Sequence, residues 1–147
     1  MHPFSTNTCE RRDLTQRGAS AVEMALLLPL LVLMLDGVLE FGLILNNQSV
    51  LTSSASLAAR AGIVQNTPKL NTTQIAAVAS NYCIDNLISL GTTQAPTVTV
   101  VQAADPSYPN PLQVTVTYNF KGLFVGGMLS ALQNNPVLSA TSVMYNE

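Results

Sequence analysis

One apolar segment near the N-terminus decides how this chain folds: residues 19–35 read ASAVEMALLLPLLVLML. Glu23 is its only ionisable side chain, and after Asp36-Gly37 a second apolar run, VLEFGLIL, occupies residues 38–45. The 22 residues from Ala19 to Glu40 would span ~33 Å as a helix, which matches the ~30 Å hydrocarbon core of a bilayer. The sequence therefore predicts a transmembrane helix over residues 19–45.

Two other interpretations of this segment are less consistent with the residues around it. A buried helix of a soluble protein would have only the 102 residues after residue 45 to cover it, and Pro29 would cost ~3 kcal/mol in an exposed soluble helix, although membrane helices tolerate proline. A secretory signal peptide needs small residues soon after its apolar core. Met24–Leu35 has the right length for such a core, but Asp36 and Glu40 follow it, and the first small-residue cluster is Ser53–Ala59.

The basic residues predict the orientation of the helix in the membrane. Arg11, Arg12 and Arg17 precede the apolar segment, and no lysine or arginine follows it until Arg60. Because short cytoplasmic segments carry the excess of basic residues, we expect a cytoplasmic N-terminus and a C-terminal domain on the other side of the membrane.

Composition excludes several classes of function. Of the 147 residues, 48% are hydrophobic and only 10% are charged, against ~25% in a typical domain. A net charge of −2 argues against a nucleic-acid partner. His2 is the only histidine, and Cys9 and Cys83 lie far apart, so the sequence predicts no metal site, no cofactor, no small-molecule substrate and no enzymatic activity. Cys83 is expected to be a small buried hydrophobe, with an intermolecular disulfide as the alternative.

The junction before the apolar segment is similar to that of type IV prepilins. Gly18 follows a short basic stretch and Glu23 lies five residues after it. This pattern implies that a prepilin peptidase cuts between Gly18 and Ala19 and removes residues 1–18 as a leader, and glycine leaves the scissile backbone uncrowded. The Glu23 carboxylate could then pair with the new α-ammonium of Ala19 in a neighbouring subunit. The alternative is that Glu23 reaches back to the cytoplasmic interface.

The wider pattern resembles the TadE-like family, which comprises minor pilins or pseudopilins of the tight-adherence (Tad, Flp, type IVc) pilus. The specific resemblance covers RGASAVEMAL at residues 17–26, LPLL at 28–31 and EFG at 40–42. A looser resemblance covers SSASLAARAG at residues 53–62 and the closing SATSVMYNE at residues 139–147. 

The resemblance implies a role in initiating pilus assembly or as a filament adaptor in adherence. The implied partners are a prepilin peptidase, a major Flp-type pilin, another Tad minor pilin, the membrane platform proteins with their cytoplasmic ATPase, and the lipid bilayer. The implied location is the bacterial inner membrane with a periplasmic domain, and after assembly the extracellular pilus. A minor role is favoured because major Flp-type subunits are much shorter than the 129 residues after Gly18. Two alternatives stay open: a bitopic membrane protein that never polymerises, and a secreted domain that begins beyond Leu45.

Residues 46–147 predict a small α+β domain. One long helix is expected from Ala19 to about Val64, with a break near Asn46-Asn47 as the alternative. A second helix should begin at an Asn71–Gln74 capping box and extend to about Leu90, before Gly91. Three strands of an antiparallel sheet are expected near residues 98–101, 112–120 and 137–145, with residues 105–111 as an exposed turn.

Several residues are candidates for contacts between helices or subunits. Small side chains at helical spacing predict a packing ridge at Ser54, Ala58 and Gly62. Further candidates for helix packing are Pro29, Phe41 and Gly42. Asp36 and Glu40 share one helix face, either as solvated carboxylates at the membrane edge or as a contact to a partner pilin. Residues 122–132 are either a short core helix or an apolar patch for a neighbouring subunit.

Overall fold

The computed structural model describes residues 10–64, 68–89, 94–103, 110–122 and 136–146, with side chains from residue 18 onward. Its elements in chain order are α1 (Glu10–Ile63), α2 (Thr72–Asn86), β1 (Thr97–Gln102), β2 (Pro111–Asn119) and β3 (Val137–Tyr145). The fold is therefore the predicted α+β arrangement of a long N-terminal helix, a second helix and a three-stranded antiparallel sheet.

Helix α1 is a single element of 54 residues, or ~81 Å. It begins nine residues before the predicted start at Ala19, because nothing in residues 10–17 interrupts a helix and the first proline after Pro3 is Pro29, inside the helix. The alternative of a break near Asn46-Asn47 is wrong. Asparagine disturbs a helix when its side chain competes for nearby backbone groups, but the Asn47 side chain bonds to the backbone of Ile88 instead.

Helix α2 begins as predicted and ends earlier than predicted. The Asn71 side chain accepts a hydrogen bond from the Gln74 backbone N–H (2.8 Å), and the Gln74 side chain accepts one from the Asn71 backbone N–H (3.0 Å). The helix stops at Asn86 rather than near Leu90, because Leu87 is extended and the Ile88 N–H bonds to Asn47 Oδ1 of α1. Gly91, the predicted stop, lies outside the described residues.

The sheet has the order β1-β2-β3, and both pairs are antiparallel. Alternate residues of β2 are buried, as its complete alternation of apolar and polar residues predicts: Leu112, Val114, Val116 and Tyr118. The predicted turn over residues 105–111 differs at its end, since Pro111 already pairs with Tyr145. A proline fits there because it is the first residue of the strand. Residues 105–109 of that turn lie outside the described residues.

Both helices cover the same face of the sheet. The upper half of α1 packs on β2 and β3, and α2 packs on α1 and β1. The core between them contains small residues of α1 and apolar residues of α2 and β2, among them Leu51, Ala58, Ala59, Ile75, Ala79 and Phe120, which follows β2. The N-terminal part of α1, residues 18–39, extends beyond this core and is called its lower half below. Of the predicted patch at residues 122–132, only Gly122 belongs to the described part of the chain.

Candidate functional site

The largest unusual surface of the protein is the lower half of α1. Every side chain from residue 18 to residue 35 is exposed, including Leu26 (73%) and Met34 (67%). The most apolar 18-residue window of this helix has a mean hydropathy of 2.2, and none of that window is buried. Water does not tolerate an apolar surface of this size on a monomer, so lipid or other apolar helices must cover it. Helix α1 is long and apolar enough to cross a membrane, and its apolar window is not buried in the domain.

Gly18 and Ala19 lie inside α1 and are both exposed. Apart from its two chain neighbours and the backbone of the helix itself, no described atom lies within 4 Å of the position that a Cβ on Gly18 would take, so this position is uncrowded. The helical backbone differs from the extended one that a protease needs. Glycine in a helix interior is ~1 kcal/mol less favourable than alanine, so this position is a weak point at which the helix can open.

Glu23 is exposed among apolar neighbours, slightly more than one turn beyond Ala19. A carboxylate at such a position is costly in lipid unless it reaches the interface or a cation.

Glu40 lies where the exposed and the docked parts of α1 meet, and it is almost completely buried (3% exposed). Its carboxylate packs against Gly122, just after β2: a Cβ at residue 122 would lie 2.5 Å from Glu40 Oε2. Glu40 therefore belongs to the interior of its own fold, which corrects the expectation of a solvated or partner-facing carboxylate. Asp36, one turn earlier, is half-buried, and its Oδ2 atom is buried without a hydrogen-bond partner.

The residues assigned to helix packing fall into two groups. Ser54, Ala58 and Gly62 are buried against the chain's own domain. At Gly62 an added Cβ would meet Leu112 Cδ2 and would lie 2.8 Å from Ile75 Cδ1. The second group, Pro29, Phe41 and Gly42, is exposed on α1, with Phe41 62% exposed and nothing within 4 Å of a Cβ on Gly42.

Two amide side chains fix the middle of α1 to the domain. Asn47 is fully buried; its Nδ2 donates to the Ile88 carbonyl (2.8 Å) and its Oδ1 accepts from the Ile88 N–H (3.0 Å). Gln48 Nε2 donates to the Ser139 carbonyl of β3 (2.8 Å). Sequence reasoning missed both anchors. The available signal was the Asn46-Asn47 pair, which was read as a possible break because asparagine is a poor helix former.

Cys83 of α2 is fully buried, as expected, and its Sγ donates to Ser54 Oγ (3.2 Å). The Ser54 hydroxyl in turn donates to the Leu51 carbonyl (2.9 Å). Burial raises the pKa of the Cys83 thiol, and the hydrogen bond with Ser54 lowers that pKa by a smaller amount. Cys83 is thus a buried cysteine without a disulfide bond, and its thiol links α2 to α1 through a hydrogen bond.

An open groove of about 450 Å³ runs between α1 and α2, with Arg60 and Tyr82 among its lining residues. Among the described residues no three His, Cys, Asp or Glu side chains lie close enough to hold a metal ion.

The part of the chain that resembles a known protein family lies within α1. A family model described as "TadE-like protein" matches residues 18–60, from the predicted cleavage junction to Arg60 in the last turn of α1. No curated protein and no solved structure matches the chain significantly. The match contains both the exposed apolar half of the helix and the half that docks on the domain. The resemblance to the TadE-like family is therefore confirmed over residues 18–60, and it associates the chain with Tad pili.

Proposed function

We propose that this protein is a minor pilin or pseudopilin of a Tad-type pilus, held in the inner membrane by the lower half of α1 until it joins a filament. Its role would be to initiate assembly or to act as a filament adaptor in adherence. The proposal includes no catalytic activity.

One observation carries the proposal. The same continuous helix is exposed and largely apolar over residues 18–35, and from Asn47 onward one of its faces is buried against a folded domain. Such a helix can exchange lipid for apolar helices of other subunits without any change in the domain, because the two surfaces do not overlap. The TadE-like match over residues 18–60 supports the assignment to a Tad pilus.

We propose processing by a prepilin peptidase between Gly18 and Ala19, on the cytoplasmic side. The support is the uncrowded glycine and the arginines before it. Since α1 passes through this bond without interruption, the peptidase would have to open about one helical turn around Gly18. The new Ala19 ammonium of one subunit would then pair with Glu23 of its neighbour and set their axial register.

The remaining partners follow from the same proposal: a major Flp-type pilin, a second Tad minor pilin and the membrane platform proteins. The orientation would place the N-terminus in the cytoplasm and residues 46–147 in the periplasm, in accord with the arginines that precede the helix.

A bitopic membrane protein that never polymerises is the second candidate, because the exposed apolar half of α1 would be covered by lipid alone. Such a protein needs neither cleavage after Gly18 nor a partner for Glu23. 

Two variants separate the candidates in a strain that assembles Tad pili. Gly18→Val should keep residues 1–18 attached, because a β-branched side chain obstructs the scissile bond, and intact-mass measurement detects this. Glu23→Ala should be processed normally but should reduce pilus formation, with the neighbouring Ser20→Ala as a control. Normal piliation in Glu23→Ala would contradict the pairing, and an unprocessed wild-type chain would favour the bitopic protein.

A further inference from the structure

The domain beyond the membrane-spanning segment is unusually poor in charge. Residues 46–147 contain six charged side chains, which are Arg60, Lys69, Asp85, Asp105, Lys121 and Glu147. None of the residues in β1, β2 and β3 is charged. The low charge of the whole chain is therefore not explained by α1 alone. Solvent-exposed domain surfaces normally carry about 25–35% charged residues, whereas the centres of protein interfaces are depleted in charge.

Strand β1 forms one edge of the sheet, and the described residues protect this edge with no charge, no proline and no bulge. Its six residues pair with β2 without a bulge, from Thr97↔Thr117 to Gln102↔Leu112. They include five β-branched residues and no proline, glycine or charge. Within the described part of the chain no strand pairs with the other side of β1. Natural proteins usually protect such an edge with charges, prolines or bulges, because its free backbone groups attract another strand.

Strand β3, at the opposite edge of the sheet, differs because α1 contacts its backbone. On β3 the Ser139 carbonyl accepts a hydrogen bond from Gln48 of α1, so the long helix already occupies part of that edge. The two edges are otherwise similar in composition, since β3 also lacks charge and proline. Among the described residues, β1 is therefore the edge that no strand and no such helix contact occupies.

A groove lies beside β1, between this strand and α2. It has a volume of about 390 Å³ and lies between Thr72, Thr73 and Ala76 of α2 and three residues of β1, which are Val98, Thr99 and Val100. A strand edge beside a helix is a geometry in which an extended peptide gains main-chain hydrogen bonds while alternate side chains enter a groove. None of the lining residues can be ionised, so a charged side chain in this groove would lose its hydration without meeting a counter-charge.

We infer that the free edge of β1 and this groove form a binding site for an extended, uncharged segment of another polypeptide, which adds a fourth strand to the sheet. The inference deepens the proposed function and rests on it in one respect, the anchoring of α1 in a membrane.

A second copy of this chain does not fit as the partner. Antiparallel pairing of β1 with β1 of a second copy would place a two-fold axis perpendicular to the sheet. Because α1 packs along the sheet, that axis would reverse its direction in the second copy, and the two helices could not enter one membrane in the same orientation.

Site-specific photo-crosslinking in cells that assemble the pilus tests the site. A benzophenone amino acid replaces Val101 of β1 in the full-length chain, and in a matched control it replaces Val143 of β3. These residues are 57% and 54% exposed and lie in the same cross-strand row on either side of Gln113. Mass spectrometry identifies the peptide joined to each position. We expect an adduct at Val101, absent at Val143, with a segment of a different protein that has no ionisable side chain over about six residues.

Charge variants test whether the adduct depends on the free edge. Thr99→Lys should reduce the Val101 adduct about tenfold or more, because lysine on an edge strand opposes the addition of another strand, whereas Ser139→Lys on the other edge should leave it unchanged. Thermal unfolding of both variants in detergent verifies that they fold. Equal adducts at Val101 and Val143, an adduct with a second copy, an adduct with lipid or with a charged segment, or insensitivity to Thr99→Lys would each overturn the inference. The N-terminus of the same sample reports separately on processing, and hence on the proposed function.

Discussion

At the scale of single residues, Glu40 connects the apolar half of α1 to the domain. Its carboxylate occupies a buried site that exists only because residue 122 has no side chain. Within the EFG element, Glu40 is thus part of the internal packing of the chain, whereas Phe41 and Gly42 are exposed. A sequence cannot reveal this pairing directly, since the two residues lie 82 positions apart and neither has an unusual local context.

Gly122→Ala should destabilise the domain by about 1–3 kcal/mol, the usual cost of adding a side chain to a packed interior. The new Cβ would lie within 2.8 Å of all three carboxyl atoms of Glu40, so the carboxylate would have to move. Thermal unfolding in detergent measures the effect. In a Glu40→Ala background the same substitution should cost much less, and additive losses in the double mutant would contradict the contact.

Cys83 should make stability depend on pH in the alkaline range. Burial raises the pKa of the folded thiol above its ordinary value of 9.0. As the pH rises through 9.0, the unfolded chain releases a proton that the folded chain retains, so the free energy of unfolding falls. Well below pH 9 the thiol is protonated in both states, and it adds no pH dependence to the free energy of unfolding. The Cys83→Ala variant lacks this dependence. Its deficit in melting temperature relative to the wild type should therefore shrink between about pH 7 and pH 10, and a constant difference would contradict the assignment.

At the scale of secondary structure, the sequence was informative wherever the signal was local. The Asn71–Gln74 capping box and the alternation of β2 were predicted correctly, because each depends on residues a few positions apart. The end of α2 was predicted too late, because a hydrogen bond from Asn47, 41 positions away, fixes Ile88. The start of α1 was placed at the beginning of the apolar run, although a helix can begin in polar sequence as readily as in apolar sequence.

The exposed Gly42 and the buried Gly62 of α1 should respond differently to substitution by valine. Gly62→Val should destabilise the domain by about 1–3 kcal/mol, since a side chain there meets Leu112 and Ile75 in the core. Gly42→Val should leave the melting temperature of the domain nearly unchanged, because no described atom outside the helix's own backbone and the two chain neighbours lies within 4 Å of a Cβ at that position. Gly42 is a candidate for packing between helices, so this second variant should reduce pilus formation. Equal melting temperatures for the two variants would contradict the different packing of the two glycines.

At the scale of the whole molecule, two surfaces have no partner within the described chain. The lower half of α1 needs an apolar environment, and the edge of β1 can accept another strand. The first surface was predictable, because a long apolar run is visible without any structure. The second was not, because it depends on which strand lies at the edge and on how α2 packs beside it.

The proposed function depends most directly on the state of the chain in native membranes. The measurement is the intact mass of the protein, extracted with detergent from the membrane fraction of cells that assemble the pilus. The account predicts a protein that stays with the membrane under alkaline washing and whose mass corresponds to a chain beginning at Ala19. A chain that still begins at Met1, or that remains in the soluble fraction without detergent, would contradict it.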